Sequence, residues 1–183
     1  EQGYKGQAEY ETIAAVKAAV RVPVVANGDI TSPAKALAVL RQTGADALMV
    51  GRAAQGRPWI FGDIAHFLST GEHRPAPLTR DVQQWLLAHL DDHYGLYGEF
   101  AGVRTARKHI GWAVRALPGG EAFRAHMNTL DSCETQVRAV QDFFDQLATD
   151  HHRLPLDPEP AIETSTDDPD GPQGAELAAC HAH

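Results

Sequence analysis

Two short runs in this 183-residue chain carry residues suited to binding an oxyanion. Asn27-Gly28-Asp29 follows the apolar run Val22–Ala26, and Gly51-Arg52 follows Ala47–Val50. Glycine lets a backbone approach an oxyanion closely and turn its N–H groups toward it. Arg52 adds a charge-assisted contact that suits a phosphate. Either turn alone reads better as a plain chain reversal, with Arg52 as a surface charge. Their repetition at two consecutive strand ends points to phosphate. A third group stands in Gly102–Leu117, where Arg104, Arg107, Lys108 and Arg115 fall within an arc of roughly 100° at helical spacing. That stripe fits a phosphodiester backbone, or else a solvated helix face.

Other reactive types are present without a pattern. His89 and His93 are four apart but lack an HExxH frame, and His66 and His126 stand alone, so no metal site is expected. Cys180, His181 and His183 near the end of the chain are a weak metal candidate. Cys133 has no evident activating partner and reads as structural. No nucleophile–base pair or paired carboxylates stand out, so the residues offer binding groups but no catalyst.

The elements that would position these groups follow from periodicity. Ala8–Val20 has helical spacing at Ile13, Val16 and Val20. Val22–Ala26 and Ala47–Val50 are apolar without alternation, as in a parallel strand covered on both faces. Between them Thr31 or Ser32 caps a helix, Pro33 opens it, Ala36, Leu37, Val39 and Leu40 form its packing face, and Gly44 stops it. Arg57–Thr70 reads as a further helix burying Ile60, Phe61, Ile64, Phe67 and Leu68. This order is α/β with a parallel sheet; a doubly wound sheet and a (β/α)8 barrel both fit it. Glu72–Pro77 is a proline-bearing linker, beyond which strand signals vanish. A helix beginning at Thr79 or Asp81 carries Val82, Leu86 and Leu90 and ends around Gly95 and Gly98. Gly102–Leu117, Glu121–Met127 and a last helix with Val137, Val140, Phe144 and Leu147 complete a small bundle. Asp131-Ser-Cys-Glu134 reads as a capping box for that last helix.

Charge is divided along the chain. Residues 1–79 hold eight Lys/Arg against seven Asp/Glu, residues 80–148 seven against nine, and residues 149–183 one against eight. The net charge of −8 is therefore almost wholly a property of the end of the chain and does not exclude a nucleic-acid partner. Residues 149–183, rich in Pro, Asp, Glu and Thr, are expected to be a disordered acidic tail. No apolar run approaches the ~20 residues of a membrane span. The polar opening, EQGYKGQAEYE, and two distant cysteines point to the cytoplasm. No membrane or protein partner is evident, and a monomer is expected.

VANGDI, GADALMVGRAAQGRPWIF and RTARKHIGW together resemble the tRNA-dihydrouridine synthases, in particular their bacterial B-type branch, over roughly Gly3 to Ala148. The resemblance implies an FMN-binding (β/α)8 TIM barrel, of which residues 1–71 would be the C-terminal portion, and a helical tRNA-binding domain at 78–148. It further implies that reduced FMN, regenerated with NADPH, passes hydride to C6 of a D-loop uridine while a cysteine protonates C5. Asn27, Gly28 and Asp29 match the family's FMN-contacting loop after the seventh strand. Gly51 and Arg52 match its phosphate-binding turn after the eighth. Arg104, Arg107 and Lys108 match the basic motif that faces RNA. The flavin-ring contacts, active-site lysine, catalytic cysteine and HGRTR motif of that family have no counterpart here. Cys133, in the helical part, is no substitute. A C-terminal fragment is thus expected, with its catalytic residue upstream, poorly folded in its barrel part and inactive alone. Competing readings are a non-catalytic RNA-binding module and a different phosphate-binding barrel enzyme, which would leave the basic stripe without a purpose.

Overall fold

The computed structural model describes residues 8–155. Its first part contains helix α1 (Tyr10–Ala19), strand β1 (Val25–Asn27), helix α2 (Pro33–Thr43), strand β2 (Ala47–Met49), a 3-10 turn (Arg52–Ala54) and helix α3 (Ile60–Thr70). The two strands pair in parallel with Val25 opposite Ala47, Ala26 opposite Leu48 and Asn27 opposite Met49. Ser32 caps α2 by accepting from the Lys35 N–H, Pro33 stands at its start and Gly44 ends it, as its sequence signals require. Tyr10, Ala26, Ile30, Ala36, Val39, Ile60 and Ile64 form the core between helices and sheet.

The strands are not covered on both faces. Ala26 is buried, but Val25, Asn27, Ala47 and Met49 are exposed. The helices of this chain supply one layer, and among the described residues no layer covers the other face. Val16 and Val20 of α1 and Phe61 of α3 are likewise exposed rather than packed. Asp46, just before β2, clamps α1 to the sheet: both its oxygens accept from Lys17 Nζ at 2.7 Å, and one also accepts from the Val24 N–H at 2.7 Å.

The second part is all helical: α4 (Thr79–Val114), α5 (Gly120–Met127) and α6 (Cys133–Asp150). Helix α4 does not end at Gly95. It is interrupted at Gly98 alone, whose φ of 70° and ψ of 174° break the helix into two arms. Leu90, Ile110, Val114, Met127, Val140 and Phe144 fill the core, with Phe144 fully buried. Gln136 of α6 is buried with them. It accepts from the Tyr94 hydroxyl at 2.8 Å and donates to the Val103 carbonyl at 3.2 Å, so it ties together both arms of α4 and α6.

Two sequence expectations are corrected here. The cap of α6 is Ser132, whose Oγ accepts from the Thr135 N–H at 3.2 Å, and not an Asp131–Glu134 box. Asp131 instead pairs with Arg107. The chain also stays ordered past residue 149: α6 runs to Asp150, and residues 151–155 fold back on the start of α4. Leu78 and Arg153 form an antiparallel bridge, the Leu154 N–H donates to the Pro77 carbonyl, and Leu154 is buried. Leu154 is an apolar anchor in a segment whose overall polarity conceals it. The remainder of the expected acidic tail, 156–183, lies outside the described residues.

Replacing Gln136 with leucine strands the Tyr94 hydroxyl and the Val103 carbonyl in an apolar interior. The expected loss is about 2–4 kcal/mol, read as a lower urea midpoint at unchanged slope. The hydrogen bonds from Lys17 and then from Val24 hold the Asp46 carboxyl below its ordinary 3.8. A depressed carboxyl contributes stability above its unfolded value and loses it as pH falls through the folded one. Asp46→Asn is therefore expected to lower the midpoint at neutral pH, with the gap to the parent chain closing as pH drops below about 3.8. A gap independent of pH would show that the charge is not what the clamp uses.

Candidate functional site

The parallel pairing of β1 and β2 places their two following loops side by side. Asn27 lies at the end of β1, and its amide Nδ2 donates to the Met49 carbonyl across the sheet at 2.8 Å. Asp29 then takes the left-handed backbone, φ 45°, which turns its carboxylate back across the loop. One oxygen accepts from the Ala8 N–H at 2.9 Å and the other from Arg52 Nη2 at 2.9 Å. The Arg52 side chain is 62 % exposed beside Asp29 at 35 %, so the pair orients more than it stabilises.

The two glycines differ. A Cβ on Gly28 would lie 2.4 Å from that of Ala8, and the Gly28 carbonyl accepts from the Tyr10 hydroxyl at 2.8 Å. Gly28 is thus a point of close approach for the chain's own residues 8–10. Gly51 has open space where its Cβ would be and is exposed. The open ground at these strand ends therefore lies over Gly51 and Arg52, while Asn27, Gly28 and Asp29 build the wall behind it.

The same loop continues to Gly56, where it meets the helical part. With φ 72°, a Cβ there would fall 2.3 Å from the backbone of Trp112. Next to this contact Trp59 lies 6.1 Å from Trp85, ring centre to centre. A cavity of about 700 Å³ opens between the two parts, lined among others by Trp59, Trp85, His89, Asp92, His109 and Trp112.

The basic stripe lies on the second arm of α4, but its members are not equivalent. Val103, Ala106, Ile110 and Val114 face the core as the periodicity requires. Arg104, Lys108 and Arg115 are exposed. Arg104 lies over the Phe100 ring at 5.6 Å and Lys108 over Trp112 at 4.9 Å. Arg107 is turned inward: its Nη2 donates to the Leu130 carbonyl and to Asp131, both at 3.0 Å, bracing the turn before α6. Cys133 opens α6 with its thiol pushed up by burial and then by Glu99, the opposite of an activated nucleophile.

One grouping is absent from the sequence reading. His89, His93 and His109 offer ring nitrogens that all lie within 4.8 Å of one another. The first two belong to one arm of α4 and the third to the other. Burial, then His89, lowers the pKa of His93; burial, then His89, His93 and Lys108, lowers that of His109. The i,i+4 pair was visible, but the third ring comes sixteen positions after His93 and reaches it only through the break at Gly98.

The description of the dihydrouridine synthase (Dus) family matches residues 1–148. Over 143 residues the chain is 55% identical to tRNA-dihydrouridine synthase B of Pseudomonas putida, which covers 78% of this chain and 42% of that protein. It is 57% identical over 141 residues to tRNA-dihydrouridine synthase B of Pseudomonas aeruginosa, 77% of this chain and 42% of that one. Against the protein of that name from Xanthomonas axonopodis pv. citri it is 54% identical over 147 residues, 80% and 44%. The chain spans less than half the length of these curated relatives. No helix among the described residues is long and apolar enough to cross a membrane. Since the match runs through the strand-end loops and the helical bundle alike, the chain belongs to the dihydrouridine synthase family.

Proposed function

We propose that this chain carries the FMN-phosphate end of a (β/α)8 barrel and the tRNA-facing helical domain of a tRNA-dihydrouridine synthase. The observation that carries the reading is the coupling of two parallel strand ends, Asn27 to Met49 and Asp29 to Arg52, around the open turn at Gly51. In barrels, loops after the last strands commonly hold a phosphate. Gly51 and Arg52 fit that group: a backbone that no described residue covers and a guanidinium beside it. Asn27, Gly28 and Asp29 hold the turn in place. When bound, reduced FMN would supply hydride to a uracil, with NADPH as its reductant. Of this chain's own residues, Arg104 and Lys108 would engage RNA phosphates directly. Arg107 would act by fixing the helix that presents them. Its brace to Leu130 and Asp131 supports this division.

Anisotropy titrations of labelled tRNA against the full chain test the RNA half. Affinity is expected to fall steeply with salt. Arg104→Ala with Lys108→Ala should weaken binding about tenfold or more and flatten the log–log salt slope by roughly 1.5–2. Arg107→Ala should lower the unfolding midpoint as well. Binding that ignores both salt and the double substitution would remove the RNA reading. For the cofactor half, titration with FMN should give binding that Arg52→Ala weakens. Among the described residues the cysteine, Cys133, opens α6 in the helical part with its thiol pushed up by burial, so the chain with FMN, NADPH and tRNA should yield no dihydrouridine; its formation would refute that assignment.

A further inference from the structure

We propose that His89, His93 and His109 form a binding site for a divalent transition-metal ion, Zn2+ by preference, that staples the two arms of α4 across the Gly98 break. The three rings come from two helical arms and converge, with their donor nitrogens within 4.8 Å of one another. Ring centres of His89 and His93 lie 4.8 and 5.1 Å from that of His109. A tetrahedral zinc with bonds of about 2.0–2.1 Å needs nitrogens roughly 3.3 Å apart. Closing the remaining gap asks for small side-chain rotations, and His89, the exposed member, is the ring with room to make them. Imidazole nitrogens suit zinc, nickel and copper and are poor ligands for magnesium or calcium.

The supporting residues have the character of a metal site. Thr105 Oγ1 lies 2.8 Å from His93 Nε2, and its own hydrogen goes to the Ala101 carbonyl at 2.8 Å. The hydroxyl therefore accepts from the ring at Nε2, which leaves the lone pair on Nδ1. Outer partners of this kind set the tautomer and orientation of metal-ligating histidines. His93 is buried and packed beneath the Tyr97 ring at 4.7 Å, so its ring is held in place. His89 and His109 also line the 700 Å³ cavity together with Asp92. A fourth position, for water or for Asp92, thus opens toward that cavity. Three protein nitrogens with one open place is a recurrent zinc arrangement. The inference does not depend on the flavin or RNA reading.

The test is titration of the full chain with Zn2+ by calorimetry and with Co2+ by visible absorption, alongside thermal unfolding with and without Zn2+. One saturable site is expected, with a higher Tm in the presence of the ion. His89→Ala and His109→Ala should each weaken binding about tenfold or more, and Thr105→Val about tenfold. His89 is exposed, so its variant keeps the fold, which circular dichroism checks. A variant with His181→Ala and His183→Ala should bind as the parent does. Binding that survives His89→Ala with His109→Ala, is lost with the two terminal substitutions, or never saturates would overturn the site.

Discussion

Gln136 is the side chain on which the helical part depends. A buried amide is costly unless each of its polar groups is matched. Here the match is made to both arms of α4 at once, to the Tyr94 hydroxyl before the break and to the Val103 carbonyl after it. Gly98 allows the chain to depart from helix, but a permissive residue selects no particular angle. The hydrogen bonds of Gln136, with Phe144 and Val140 packed beside them, select it. Everything of functional interest on the second arm, from Arg104 to Trp112, inherits its direction from that choice.

The strand part obeys a different constraint. Among the described residues, two parallel strands with helices on one side leave backbone edges and an apolar face without partners, and Val25 and Met49 are exposed accordingly. Order there comes from polar clamps at the two ends of the strands. Asp46 gathers Lys17 and Val24 at one end, and Asp29 gathers Ala8 and Arg52 at the other. The second clamp bears on the proposed phosphate site. An anion over Gly51 would compete with the Asp29 carboxylate for the Arg52 guanidinium, so Asp29 presets the position of Arg52 at some cost in its attraction.

Much of this was legible in the residues, and what was not has a physical cause. Ser32-Pro33 and Gly44 bound α2 because capping is a local affair, settled within a few residues. The loops after β1 and β2 were legible for the same reason. Coverage of the strands was not: an apolar run reports what a strand can bury, not what lies against it. The cap of α6 falls one residue beyond Asp131 because Asp131 and Ser132 are both good acceptors and Asp131 is taken by Arg107, twenty-four positions away. The role of Arg107 itself was hidden likewise. On a helical wheel it is one of four adjacent cations, and only the turn at Leu130 distinguishes it. The histidine cluster depends on the same long-range information, since its third member is brought in by the break at Gly98.

The contact at Gly56 joins the two parts into one device. The chain passes from the open turn at Gly51 to Gly56 in five residues. There its backbone lies so close to that of Trp112 that no side chain fits. Trp112 carries Lys108 on its face and His109 against its edge, ring centres 5.2 Å apart. A shift of the turn that holds Arg52 would therefore be passed, through close-packed backbone rather than through flexible side chains, to the helix that presents Lys108. Packed contacts of this kind transmit displacement because they have little room to absorb it. Arg52 and Lys108, both cations suited to phosphate, are thereby linked through the Gly56–Trp112 contact.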